Sequence, residues 1–201
     1  MEKDTRDKLI DAGEKLFAER GLSGVSIREL SKEAGANSAL ISYHFGGKEG
    51  LYAAIIEKQF SPIRFLLDSV GLLKASPSEK IIQYAQGVAM VHGKAPFLTK
   101  YLMREIINQP SSVFTPFIQK YIRRVYNFLT ATLQEGIDCG EFRKDMDVNA
   151  AALALAGMMN FYYIARPIAR QFVPGGVEQG EQFVGQAVEI FLNGVKKHGD
   201  Q

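Results

Sequence analysis

The sequence predicts an all-α protein, with three short helices followed by longer ones, about nine in all. Three observations carry that expectation. Apolar residues recur at helical spacing along the chain, and no segment alternates as a strand does. Serine, proline and glycine stand where helices start and stop. With 201 residues, 46% of them hydrophobic and 23% charged, the chain can bury a sizeable core.

Each element follows from local signals. Thr5 to Glu19 places Leu9, Gly13, Leu16 and Phe17 at helical spacing, and Gly21 is a C-terminal stop. Ser26 to Glu29, SIRE, is a capping box, in which serine and glutamate satisfy free amides at a helix start. Ile27, Leu30 and Ala34 share a face of this short helix, which Gly35 ends. Asn37 caps a third helix whose Ile41 and Phe45 point inward, and Gly46-Gly47 breaks it. From Lys48 a longer helix runs through Leu51, Tyr52, Ile55, Ile56 and Phe60, with Pro62 expected to kink or break it. Ser76-Pro77-Ser78-Glu79 opens a helix reaching about His92. Gly93 to Pro96 separates it from Phe97–Asn108, and Gln109 to Ser112 precedes a long helix reaching Asp138 on the stripe Ile118, Ile122, Val125, Leu129 and Leu133. Val148 to about Phe172 and Glu178 to Lys197 complete the chain, divided by Pro174-Gly175-Gly176.

Composition excludes more than it assigns. The net charge is +2, and the first 52 residues hold eight basic and nine acidic side chains, so total charge identifies no partner. The single cysteine, Cys139, cannot staple the chain, and MEKDTRDKLI lacks the apolar run of a secretory leader; a cytoplasmic protein is expected. Val148 to Ala165 reaches the lower length limit for a membrane span but contains Asn149 and Asn160, so it reads as a buried helix. His44, His92, His198 and Cys139 show no ligand spacing, and no metal or cofactor is expected. No nucleophile accompanied by a base and an orienting group is visible, so no enzyme is expected.

Two short helices joined through Gly35, the second turning polar side chains outward, have the layout of a helix-turn-helix. The stretch GLSGVSIRELSKEAGANSALISYHFGGKEGLY, above all Tyr43-His44-Phe45 followed by Lys48-Glu49, resembles the DNA-binding domain of the tetracycline-repressor (TetR) family of bacterial one-component regulators. The resemblance implies a DNA-binding domain over residues 1–52 and an effector-binding and dimerisation domain over 53–201. It implies backbone contacts from Ser26 and Arg28, and base reading by Asn37, Ser38, Ala39 and Leu40. Tyr43, His44 and Lys48 match the family's phosphate contacts. Chemistry agrees, since Lys48 and the free amides after Gly47 would form an anion site at a helix start. Ser42 stands where the family commonly has a second aromatic, and Leu40 replaces a frequent small polar residue; both positions are expected to shape operator preference. The alternative for Tyr43-His44-Phe45 is a helix end packed on its own core.

The larger domain is aromatic-rich. Phe97, Tyr101 and Arg104 share one helix face, as do Tyr121, Arg124 and Phe128, and they are the expected lining for a small, largely apolar effector. Their alternative is ordinary core with paired charges. A homodimer on a palindromic double-stranded operator is expected, with the last two helices as its interface, through Ala151, Leu155, Met158, Met159 and Tyr162 on one and Phe183, Ala187, Ile190, Phe191 and Gly194 on the other; membrane insertion and a plain core are the competing readings. Together these expectations describe a repressor released by its effector; a helical small-molecule carrier or adaptor without DNA binding is the alternative.

Overall fold

The computed structural model describes residues 4–107, 115–172 and 178–197. Ten helices lie among them: α1 Thr5–Arg20, α2 Ile27–Ala34, α3 Ala39–Phe45, α4 Lys48–Gly71, α5 Pro77–Lys94, α6 Leu98–Ile107, α7 Thr115–Asp138, α8 Val148–Ile164, α9 Arg166–Phe172 and α10 Glu178–Val195. The count exceeds nine because the expected helix from Val148 to Phe172 is divided at Ala165 into α8 and α9. Gln109 to Ser112 and Pro174-Gly175-Gly176, read as separators, lie outside the described residues.

Helix ends follow the local chemistry. Ser26 and Glu29 form the full capping box, and Ser76 and Glu79 repeat it, the Ser76 amide donating to Glu79 Oε2 at 2.7 Å and the Glu79 amide to Ser76 Oγ at 3.3 Å. Gly35 and Gly46 end α2 and α3 in the left-handed conformation, where a side chain would be strained. Pro62 does not end α4. Proline lacks the amide that would bond the carbonyl four residues back, and the Ser61 hydroxyl donates to that carbonyl, Lys58 O, at 3.1 Å. Asp147 caps α8, accepting from the amides of Asn149 and Ala150.

The chain forms two compact units, one from residues up to Ser61 with Ala95–Ile118, the other from Pro62–Lys94 with the residues after Ile118. Two of the three boundaries fall inside α4 and α7 and the third at the end of α5, and α6 groups with the first three helices. In the first unit Leu9, Phe17, Leu30, Ile41, Leu51, Ile55 and Ile56 are buried, and Phe17 packs edge-on against Tyr52 with centroids 5.2 Å apart. Burying Leu30 and Ile41, the inward residues of α2 and α3, contributes roughly 1.5–3 kcal/mol each.

The second unit packs α5, α8 and α10 together around a core that includes Ile81, Leu129, Leu133, Phe142, Leu155, Met159 and Val188. On α7 the stripe is Ile118, Tyr121, Leu129 and Leu133; Ile122 is exposed, a correction, because Tyr121 takes the inward position. The isolated bridge between Phe142 and Lys196 is the β-type pairing among the described residues. It holds the Phe142 ring against Gly136, where any Cβ would sit 2.1 Å from the ring.

Candidate nucleic-acid interface

Helix α3 is anchored by Ile41, which has no exposed surface, while Phe45 is half-buried beneath the Arg6 guanidinium, 5.4 Å above its ring. The opposite side faces solvent. Ser38, Ala39 and Ser42 are exposed, and Tyr43 is 81% exposed with its ring edge-on to His44. Leu40 and His44 are half-buried. Asn37 accepts the Ala39 amide on Oδ1 at 2.9 Å, which fixes its side chain at the leading edge and leaves its amide nitrogen to donate. The face therefore offers hydroxyls, one carboxamide and small apolar groups, with no charge: a surface able to read base edges in a major groove.

Helix α2 contributes differently. Arg28 is exposed and makes no ion pair among the described residues, so its guanidinium is available to a phosphate. Ser26 is not available in the same way. Its amide and its hydroxyl both donate to Glu29 Oε2, at 2.8 and 2.7 Å, while its oxygen accepts the Glu29 amide. The donated Ser26 amide, then the Arg20 guanidinium 2.7 Å away, then the Ser26 hydroxyl hold the Glu29 carboxyl down to about 2.

Lys48 is already engaged within the chain. Its ammonium donates to the carbonyls of Leu22 and Val25, each at 3.0 Å, and so faces the turn between α1 and α2; one of its three protons remains for any anion. The anion site read from Lys48 and the amides after Gly47 is reduced accordingly.

The six residues expected to line an effector pocket divide between the two units. Tyr101 is fully buried in the first unit and donates to the Glu14 carbonyl at 3.0 Å, and burial raises its phenol above the ordinary range. Arg104 donates to Glu19 O at 2.7 Å. Phe97, half-buried on the same stretch, lies 5.9 Å from the Lys100 ammonium. In the second unit Arg124 pairs with Asp68 at 2.6 Å, Phe128 packs on Tyr84 with centroids 5.2 Å apart, and Tyr121 is buried. A groove of about 740 Å³ runs elsewhere in that unit, between α5 and α10, floored by Ala85, Ala89, Val184 and Val188 and edged by Glu181 and Lys196. None of the six lines it.

The expected dimer residues also separate. Leu155, Met159, Tyr162, Ala187 and Phe191 are buried in the chain's own second unit, as is Ala151, a correction, because they fill that core. Met158 and Phe183 are half-buried, and Ile190 and Gly194 face outward. The outward apolar residues that sequence reasoning missed are Leu153 and Phe161 on α8, 71% and 61% exposed, with Gly157 between them. Spacing could have found them: 153, 157 and 161 recur every four residues beside the buried set. Arg6 over Phe45 and Arg104 against α1 had no local signal, since each pairs residues far apart in the chain.

Among the described residues no group of three or more His, Cys, Asp and Glu could hold a metal ion, and no helix is long and apolar enough to cross a membrane.

Two family models match the sequence: that of the bacterial regulatory proteins of the tetR family over residues 9–55, and that of the C-terminal domain of the HTH-type transcriptional dual regulator CecR over residues 79–195, more than half of the chain. The chain is 27% identical over 138 residues to the probable HTH-type transcriptional regulator YttP of Bacillus subtilis, spanning 68% of this chain and 66% of YttP. It is 26% identical over 205 residues to the HTH-type transcriptional repressor KstR2 of Mycobacterium tuberculosis, spanning 96% and 94%. The solved structure of KstR2, a ketosteroid transcriptional regulator, superposes with a TM-score of 0.77 at 21% identity over 98% of both chains. FadR of Bacillus subtilis, solved with stearoyl-CoA, gives 0.71 at 19% identity over 94% of this chain and 98% of its own. With its reading helices and its larger helical domain each matched, the chain belongs to the TetR family of bacterial transcriptional regulators.

Proposed function

We propose that this DNA-binding regulator is a repressor that binds a two-fold operator as a homodimer and is released by a small, largely apolar effector. The observation that carries the reading is the outer face of α3: Ser38, Ala39, Ser42 and Tyr43 are exposed and uncharged on a helix anchored by fully buried Ile41. Base edges are read by such groups, and exposed Arg28 supplies the adjacent phosphate contact.

Dimerisation is supported by the outward face of α8 and α10. Leu153, Phe161 and Ile190 are exposed there, and a Cβ added at Gly157 or Gly194 meets nothing within 4 Å. A helical glycine costs roughly 0.5–1 kcal/mol relative to alanine, and no neighbour in the chain requires these two. Close approach of a second copy accounts for both the glycines and the exposed apolar groups. Two heads on one two-fold axis then reach half-sites one helical turn, or a multiple, apart.

The apolar effector is supported by relatives: FadR was solved with stearoyl-CoA, and KstR2 is described as a ketosteroid regulator. Release follows if the effector prefers a spacing of the two heads that does not match the operator. Helix α4, which contributes residues to both units, is the proposed lever. A gel-shift with DNA flanking the protein's own gene tests the reading. A specific shift, reversed by an apolar metabolite or acyl thioester, is expected; binding of such a ligand with no shift on any flanking fragment would favour the carrier.

A further inference from the structure

The turn between α1 and α2 delivers the chain to its first DNA-facing side chains, and carbonyls of the turn and of the end of α1 are each gripped by a cation. Lys48, at the start of α4, donates to Leu22 O and Val25 O at 3.0 Å each. Arg104, on α6, donates to Glu19 O at 2.7 Å and reaches Ala18 O at 3.5 Å. Ala18 and Glu19 lie in the last turn of α1, where carbonyls have no further helical amide to accept from and carry the negative end of the helix dipole. The planar guanidinium meets two such neighbouring oxygens at once. Gly21 makes room for it: its φ is +71°, and a Cβ there would lie 2.9 Å from Arg104 Nη1. Tyr101, one turn before Arg104, ties α6 to α1 a second time through Glu14 O. Arg104 Nε is buried without an acceptor among the described residues, a desolvation cost that charge alone would not demand.

We infer that Arg104 and Lys48 are positioning residues of the DNA interface: they fix the α1–α2 turn, and through it the start of α2 and the direction in which Arg28 meets the duplex. Helix α6 is thereby a working part of the reading head, although the chain returns to it only after α5. The inference rests on the reading that the chain binds DNA.

The test uses the full chain and two labelled duplexes of equal length, one from the region flanking its own gene and one of random sequence, titrated by fluorescence anisotropy over a salt series. Arg104→Met removes the donors and keeps the apolar stem; Arg104→Lys restores the charge and part of the bonding. R104M is expected to lose about tenfold or more on the specific duplex with an unchanged salt slope, since no phosphate contact is removed. Amides 20–28 should exchange faster in the same variant, and R104K should recover most of the affinity. Wild-type affinity and exchange in R104M would overturn the inference, as would a slope reduced by about one, which would mark Arg104 as a phosphate contact. Should R104M fail to fold, Tyr101→Phe decides: faster exchange over 14–26 with a few-fold weaker binding supports the inference, and no change in either refutes it. If the wild-type chain binds neither duplex, DNA binding itself fails, and exchange at 20–28 still reports whether Arg104 holds the turn.

Discussion

Helices α3 and α8 handle exposure in opposite ways. On α3 one residue, Ile41, is fully buried and the outer surface is polar and uncharged, so the helix has one inside and one working face. On α8 both sides are apolar: Leu155, Met159 and Tyr162 fill the core, while Leu153 and Phe161 stand in solvent. A polar outer face on a short helix suits an aqueous, hydrogen-bonding partner such as DNA, and an apolar outer face on a long helix suits another copy of the same chain. On the proposed reading, which side chains are left outside divides recognition from assembly.

The largest effect should come from the apolar face. Replacing Phe161 and Leu153 by arginine leaves the chain's own core intact but places charge where a second copy would pack. A monomer by sedimentation is expected, with operator affinity lowered by about a hundredfold or more as the two heads lose their linkage. A dimer that survives the double substitution would break the comparison.

Next in size is Gly136→Ala. The added methyl meets Phe142 at 2.1 Å, so the second unit should lose about 1–3 kcal/mol, seen as a lower denaturant midpoint, with operator affinity at 25 °C little changed. The reading head gives a smaller signal in another assay: Arg28→Ala should weaken binding to many sequences alike and reduce the salt slope by about one.

These contrasts also explain what was legible. Capping boxes at Ser26 and Ser76, and the stops at Gly21, Gly35 and Gly46, depend on atoms within a few residues of each other, so helix ends could be read directly. The polar face of α3 was legible for the same reason. Lys48 was legible as a cation but not as a clamp, because its acceptors lie more than twenty residues away in another turn. Tyr101 and Arg104 carried the chemistry of a ligand site, yet their partners are carbonyls of α1, and backbone acceptors leave no trace in residue types. On α8 spacing resolves two apolar stripes but not which of them is core, since both faces are apolar.

Acid should separate the regions by the smallest effect. His92, on α5, stacks on Tyr163 at 3.8 Å and bonds Asn160 at 3.1 Å; burial lowers its pKa below 6.5. Below pH 6.5 the unfolded chain takes up a proton that the folded site resists, so this contribution to stability fades as pH falls to the lowered value and no further. Glu29 in the reading head titrates later. Its carboxyl is held from 4.5 down to about 2, so its contribution is complete above 4.5 and is lost as pH falls toward 2. Thermal melts should therefore weaken first below pH 6.5 in wild type but not in His92→Gln, and only below pH 4.5 through Glu29.

The central claim, that the α2–α3 surface binds a specific duplex as part of a two-fold pair, is tested most directly by one titration. The full chain is added to a labelled duplex from beside its own gene, over a salt series, with a scrambled duplex of equal length as control, and the complex is sized. Two chains per duplex, at least about a thousandfold preference over the control, and a linear fall of log affinity with log salt are predicted. Equal affinity for both duplexes, or none for either, would contradict the account.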